Sequence, residues 1–226
     1  MQPYRQSDHK KAIFQLASSI LSFVVLWSAM LYSLRWWYGW TLLMAIPAAG
    51  VMVRLFIIQH DCGHGSFFRW RVANDAVGFL LGIVTLTPYH YWRRTHALHH
   101  AGSGNLDRRG FGDVSTLTVR EYRALPLRKR LGYRLYRNSL ILLLVGPVYL
   151  FILKHRFPFD ARRAWKKEWV SVLSTNLALI VLITLMGNII GFPHFLMVQL
   201  PITLIAGTVG VWLFYVQHQF EETYWQ

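Results

Sequence analysis

The chain has 226 residues, of which 54% are hydrophobic and only 15% are charged, and its formal net charge is +14. A soluble domain carries about 25% charged residues, so this composition argues against a soluble protein and favours an integral membrane protein. The single cysteine, Cys62, excludes an intrachain disulfide.

Four segments are long and apolar enough to cross a bilayer core of about 30 Å. Segments 12–34, 169–191 and 192–217 contain no Asp, Glu, Lys or Arg, and segment 36–58 contains only Arg54. We therefore expect an all-α integral membrane protein with four transmembrane helices in two hairpins. Two shorter apolar runs, 76–92 and 138–153, predict half-buried helices at the membrane surface, the second of them broken at Asn138 and at Gly146-Pro147.

The cations indicate which ends of the spans face the cytoplasm. Three of them precede the first span, and 19 of the 24 lie between residues 59 and 168. By the positive-inside rule, the N-terminus, the region 59–168 and the C-terminus are cytoplasmic. We expect residues 1–226 to form one domain in a bacterial inner membrane, with 59–168 as a cytoplasmic helical cap. The cations would attract anionic lipids or dock an acidic partner, and no recognition motif supports nucleic-acid binding.

Five of the ten histidines form two clusters, His60 with His64, and His96 with His99 and His100. On a helix, spacings of i, i+3 and i+4 place the imidazoles of a cluster on one face. Neutral imidazole is the commonest metal ligand in proteins. His218, after the last span, adds a sixth imidazole on the same side. Six imidazoles are too many for one zinc ion and suit two metal ions, although iron, copper, nickel and zinc remain open.

The position of these clusters beside membrane-spanning sequence favours oxidative chemistry on a lipid. No His-Glu-x-x-His motif of a zinc protease is present. Removing hydrogen from an unactivated C–H bond requires a site that excludes water, whereas hydrolysis does not need to be buried against acyl chains. We therefore expect a di-iron, O2-activating enzyme that acts on a lipid chain.

Three runs of the sequence resemble the membrane fatty acid desaturases: His-Asp-Cys-Gly-His-Gly-Ser-Phe at 60–67, Trp-Arg-Arg-Thr-His-Ala-Leu-His-His at 92–100, and Val-Gln-His-Gln-Phe-Glu at 216–221. The resemblance covers nearly the whole chain and is strongest to the acyl-lipid branch that includes the delta-12 or omega-6 enzymes. It implies a non-haem di-iron centre that uses O2 and two electrons to place a cis double bond in a lipid-linked acyl chain. It also implies ferredoxin or cytochrome b5 as the electron donor. The iron ligands that it implies are His60, His64, His96, His99, His100 and His218.

Three further residues are candidates for supporting the ligands. Asp61 would orient an imidazole by accepting its other N–H, and Trp92 and Arg93 would brace the second cluster. A helix-end carboxylate, an interfacial aromatic residue and a headgroup-binding arginine are the alternative interpretations.

The chain departs from the desaturase pattern at its end. Desaturases carry a third box, His-x-x-His-His, after the third run, and this sequence stops at Gln226. We therefore expect a C-terminally truncated sequence. Alternative functions are a lipid or carotenoid hydroxylase or ketolase with the same boxes, a non-catalytic membrane electron carrier that binds haem or metal, and a pseudo-enzyme.

Overall fold

The computed structural model describes residues 8–102, 105–107 and 115–217. Within these ranges the regular secondary structure is helical. The helices are α1 (His9–Ser33), α2 (Tyr38–His64), α3 (Arg71–Val84), α4 (Tyr89–Gly102), α5 (Val119–Ala124), α6 (Leu127–Tyr136), α7 (Ser139–Val148), α8 (Lys166–Ile190) and α9 (Phe192–Gln217). A π-helical turn, Tyr149–Lys154, directly continues α7.

Helices α1, α2, α8 and α9 are long and apolar enough to cross a membrane, which confirms the prediction of four transmembrane helices. They form the hairpins α1–α2 and α8–α9, and α2 also packs against α9. Helix α2 runs six residues beyond the predicted span 36–58, to His64, and therefore carries the first histidine cluster on its last turns. Gly65 ends α2 because it adopts a φ of 71°, a left-handed conformation that glycine tolerates best.

Small side chains bring the first two helices and the last into close contact. Ala45 and Ala48 of α2 are fully buried against Met30 of α1 and against Val198 and Ile202 of α9. Small residues allow the backbones of membrane helices to approach each other, so that van der Waals packing stabilises the bundle. This packing fixes α2, the helix on which the first histidine cluster lies.

The apolar run 76–92 does not form a single helix, so that prediction was wrong. Helices α3 and α4 meet at an angle of 102° across the segment 85–88. Leu86 in this segment has a left-handed φ of 57°. Buried Gln59 of α2 holds the turn, accepting a hydrogen bond from the Thr85 hydroxyl at 2.5 Å and donating one to the Thr87 carbonyl at 3.1 Å. The sharp turn directs α4 back towards the end of α2.

The run 138–153 is interrupted at only one of the two predicted places. Helices α6 and α7 meet at 75°, and the Asn138 side chain caps α7 by accepting hydrogen bonds from the N–H groups of Leu140 and Ile141. Pro147, by contrast, lies inside α7, and the chain continues as a π-helix from Tyr149. The predicted break at Gly146-Pro147 was therefore wrong, and the helix changes its type there instead of ending.

Candidate metal centre

Helices α2 and α4 bring four imidazoles together at one end of the bundle. The His96 Nε2 atom lies 3.0 Å from His60 Nε2, 3.2 Å from His64 Nε2 and 3.0 Å from His100 Nε2. The Nε2 atoms of His60 and His64 are 3.3 Å apart. Each helix contributes two ligands at i and i+4, so every pair comes from successive turns of one helical face.

These distances fit a metal ion better than they fit hydrogen bonds. Two nitrogens bound to one ion at about 2.1 Å lie roughly 3.0–3.4 Å apart when the angle between them is 90–109°. The four potential ligand atoms all lie within 4.8 Å of one another. In a neutral imidazole each ring nitrogen is either a hydrogen-bond donor or an acceptor, so four Nε2 atoms at one point cannot all pair with one another. A single cation, by contrast, would bind the lone pairs of all four.

The electrostatics favour the neutral, ligating form of His96. Burial and, after it, the neighbouring imidazoles, with His60 the strongest of them, together lower the pKa of His96 to about 3. A protonated imidazole cannot bind a metal ion, so a depressed pKa keeps the Nε2 lone pair available at neutral pH.

His99 does not join the other four, although the helical spacing predicted that it would share their face. Its ring lies 6.3 Å from the His96 ring and 5.3 Å from the Phe214 ring of α9, and only 5% of the residue is exposed. At i+3 the side chain is rotated towards α9, away from α2, where His60 and His64 lie. His218 falls outside the described residues, so its role stays a prediction.

Two of the predicted supporting residues contact the ligands. The Asp61 carboxylate lies 3.2 Å from His60 Nδ1, the ring nitrogen that does not face the other histidines. The Trp92 indole stacks on His96 at a centroid distance of 4.5 Å and also touches the His60 ring at 5.6 Å. Asp61 therefore fixes the tautomer that presents Nε2, and Trp92 fixes the orientation of two rings.

Arg93 braces the second cluster through α3. Its guanidinium donates a hydrogen bond to the Asp75 carboxylate of α3 at 2.9 Å. The fully buried Tyr89 places its hydroxyl 3.2 Å from the same carboxylate and 2.9 Å from the Cys62 carbonyl of α2. These contacts tie together the three helices around the histidines. The thiol of Cys62 is buried and is not among the four clustered ligands.

Sequence reasoning missed Asp75 and Tyr89. One signal was available, because Asp75 is the only acidic residue between Asp61 and Asp107. A lone carboxylate in an apolar run requires a cationic or hydrogen-bonding partner, which would have indicated an ion pair. No comparable signal distinguished Tyr89 from the other aromatic residues.

An apolar cavity of about 450 Å³ reaches the second cluster. It lies between α2, α4, α7 with its π-helical turn, and α9, and His96 and His99 form part of its wall. Ligand pockets commonly have volumes of about 300–1,000 Å³ and largely apolar walls. The cavity can therefore hold an extended apolar chain against the candidate metal ligands.

Comparisons with known proteins agree with these features. The sequence profile of the fatty acid desaturase family matches residues 34–226. A fatty acid desaturase of Bacillus subtilis is 45% identical over 223 residues, which is 99% of this chain and 63% of that protein. An sn-1 acyl-lipid omega-3 desaturase (ferredoxin) of Nostoc is 36% identical over 141 residues, covering 59% of this chain and 36% of that protein.

A third relative comes from a plant. The acyl-lipid omega-3 desaturase (cytochrome b5) of the Arabidopsis thaliana endoplasmic reticulum is 36% identical over 118 residues, or 50% of this chain and 28% of that protein. The chain thus spans less than two thirds of the length of these relatives. Because the family profile covers most of the chain, including both histidine clusters, the chain belongs to the fatty acid desaturase family.

Proposed function

We propose that the protein is an oxidoreductase that introduces a cis double bond into a lipid-linked acyl chain at a non-haem di-iron centre, using O2. The observation that carries this proposal is the convergence of four imidazole Nε2 atoms, one of which belongs to a histidine in the wall of an apolar cavity. The relatives from Nostoc and Arabidopsis are both named acyl-lipid desaturases, which supports the substrate class.

In this proposal His60, His64, His96 and His100 hold iron, and His99 and His218 complete the ligands of a second ion. When bound, the two irons would use O2, two electrons and two protons to remove two hydrogens from adjacent carbons of the acyl chain, with two waters as products. Imidazole is a suitable ligand for iron, and mostly neutral ligands suit oxidative chemistry on an apolar substrate.

The residues of the chain supply binding, orientation and exclusion of water. The cavity would hold the acyl chain by burying its methylenes, each of which contributes about 0.8 kcal/mol. The stacking of Trp92 on His96 keeps the imidazole at the cavity wall in a single orientation. Asp61 would retain the Nδ1 proton of His60, so that only Nε2 faces the metal.

We place the histidine clusters and both termini on the cytoplasmic side of a bacterial inner membrane, with residues 1–226 as one domain. The 19 cations between residues 59 and 168 support this orientation by the positive-inside rule. Electrons would come from a ferredoxin or a cytochrome b5, since relatives are named for each donor. A cationic cytoplasmic face would attract such donors when their surfaces are acidic.

Product analysis tests the proposal. The full chain would be expressed with a ferredoxin and its reductase in a host that lacks desaturases, and the membrane acyl chains would be analysed by gas chromatography and mass spectrometry. We expect acyl chains lighter by two hydrogens, absent with His96→Ala and retained with His194→Ala, which alters an exposed histidine whose ring bonds the Ile190 carbonyl of its own helical turn.

Other products would contradict the proposal. Chains that carry an added oxygen would favour a hydroxylase, and a Soret band in the purified protein would favour a haem carrier. Unchanged acyl chains, when the ferredoxin and its reductase are shown to be active in the host, would exclude desaturase activity of this chain.

A further inference from the structure

A second cavity, of about 240 Å³, lies beside His64 of the first histidine cluster. Its lining includes three arginines, Arg69, Arg71 and Arg93, together with His64 and Asp75. No described residue lines both this cavity and the apolar cavity. The desaturase proposal gives it no role.

The charges of this cavity are not balanced. Asp75 is the only acidic residue in the described lining, and its carboxylate is already engaged by Arg93 and by the Tyr89 hydroxyl. Among the described residues, Arg69 and Arg71 make no ion pair or side-chain hydrogen bond, and both are exposed. The guanidinium groups of these two arginines line the cavity without a carboxylate partner among the described residues, and such groups suit bidentate binding of an oxyanion.

The backbone adds to the positive potential. Helix α3 begins at Arg71, and its N-cap residue Trp70 provides no side-chain cap for the first N–H groups. The amino end of a helix carries a partial positive charge and favours anions. Asn74, which lines the cavity, is occupied by hydrogen bonds to the Phe68 backbone and does not compete for an anion.

The residues between the arginines indicate where the anion comes from. Trp70 is 65% exposed and Val72 is 81% exposed, so exposed apolar side chains alternate with Arg69 and Arg71. Trp70 also stacks on His9, at the start of the first span, with ring centroids 4.8 Å apart. Alternating cations and exposed apolar groups at the end of a span are typical of the membrane–water interface, where phosphates lie above acyl chains.

We propose that the cavity lined by Arg69, Arg71 and Arg93 binds the phosphate group of an anionic membrane phospholipid. Arg69 and Arg71 hold the phosphate oxygens, and Trp70 and Val72 contact the lipid below the headgroup. The bound lipid fixes the segment between α2 and α3, directly beside His64. This proposal does not depend on desaturase activity.

Ligand-induced stabilisation tests the site. The melting midpoint of the detergent-purified full chain would be measured with dihexanoyl phosphatidylglycerol, with dihexanoylglycerol, which lacks the phosphate, and with inorganic phosphate. We expect a concentration-dependent rise with the phosphatidylglycerol alone, and an apparent Kd at least about tenfold higher in the Arg69→Gln/Arg71→Gln protein, because two charge-assisted hydrogen-bond donors are lost. The matched control is Arg120→Gln/Arg123→Gln, which removes two exposed cations from α5 and should bind as the unaltered protein does.

Several results would overturn the proposal. Equal loss of affinity in both double variants would mean general charge attraction, and a rise with inorganic phosphate but not with the lipid would mean a free anion site. No stabilisation of the unaltered protein would exclude the site. If the glutamine variant does not fold, the Arg69→Lys/Arg71→Lys protein replaces it. Lysine keeps the charge but cannot bind an oxyanion in bidentate fashion, so its apparent Kd for the phosphatidylglycerol should be higher than that of the unaltered protein. An unchanged Kd would contradict the proposal.

Discussion

The indole of Trp92 lies parallel to the imidazole of His96, with the ring centroids 4.5 Å apart and the planes 17° apart. The same indole contacts the His60 ring and the backbone of α2 at Gly63, where an added Cβ would lie 2.8 Å from Trp92 Cζ3. One side chain thus sets the distance between the two histidine-bearing helices, and glycine at position 63 makes that distance possible.

We predict that Gly63→Ala weakens metal binding by about 10- to 100-fold, the range typical for loss of a residue that orients metal ligands. The new methyl group would displace the stacked indole, and the His96 ring with it. Isothermal titration of the purified, metal-free protein with Fe(II) under anaerobic conditions measures the effect. Gly50→Ala, on the same helix, should bind iron normally, because among the described residues the added Cβ would meet nothing within 4 Å beyond its chain neighbours and the backbone of its own helix. Equal affinities of the two variants would contradict the role of Trp92.

The hydroxyl of Tyr89 stabilises the contact between α2 and α4. Tyr89→Phe removes a fully buried hydroxyl that donates to the Cys62 carbonyl, and we expect a loss of about 1–2 kcal/mol in the free energy of unfolding. Tyr38→Phe removes an exposed hydroxyl that donates to the Met197 carbonyl, so its cost should be below about 0.5 kcal/mol. Reversible denaturation in detergent compares the two, and a larger cost for Tyr38→Phe would refute the prediction.

Glycine usually makes a protein less stable than alanine does, and the left-handed conformation of Leu86 should reverse that order at position 86. The Leu86 carbonyl accepts hydrogen bonds from His155 and Arg156, which hold the backbone at a φ of 57°. Leu86→Gly should therefore be more stable than Leu86→Ala, by about 0.5–1 kcal/mol, because alanine keeps the steric cost of this conformation. Leu80, exposed within α3, is the control, since there glycine should be the less stable substitution. Melting midpoints of the four proteins give both rankings, and the same ranking at both positions would mean that Leu86 is not strained.

Acidification should destabilise the protein through His155. Burial is the main cause that lowers the pKa of His155 to about 3, from 6.5 for the free side chain, and the cation of Arg156 adds to the effect. Between these pH values the unfolded chain binds a proton that the folded chain does not, so stability is lost as the pH falls below 6.5. One such group would contribute a loss of about 2 kcal/mol between pH 7.5 and pH 5.

The comparison that isolates this effect is His155→Gln, which has no imidazole to protonate. Between pH 7.5 and pH 5 the free energy of unfolding of this variant should fall by about 2 kcal/mol less than that of the unaltered protein. Parallel pH profiles for the two proteins would show that His155 is not held neutral.

The sequence predicted those parts of the molecule that depend on composition and helical period. Apolar segments of more than 20 residues, three of them free of charged residues and one with only Arg54, predict the four spans, and the i, i+4 spacing places His60 with His64 and His96 with His100. It did not predict the turn at Leu86, because a tertiary hydrogen-bond network centred on Gln59 overrides the local apolar pattern there.

The position of His99 shows the same limit at the site. With 3.6 residues per turn, residues i+3 and i+4 lie one turn along the helix and to opposite sides of residue i. Both therefore count as the same face of the helix as residue i. Which of the two meets a neighbouring helix depends on how α2 and α9 pack against α4. The His100 ring meets the His64 ring of α2, with centroids 5.3 Å apart, and the His99 ring meets the Phe214 ring of α9, a division that no local spacing encodes.

Iron content per chain tests the central claim of a histidine-held di-iron centre most directly. The full chain would be purified after growth with iron and measured by elemental analysis alongside His96→Ala and His194→Ala. The account predicts two irons per chain in the unaltered protein and in His194→Ala, and loss of iron in His96→Ala. One iron per chain would leave a four-histidine site but contradict a di-iron centre. No iron, or equal iron in all three proteins, would contradict the account as a whole.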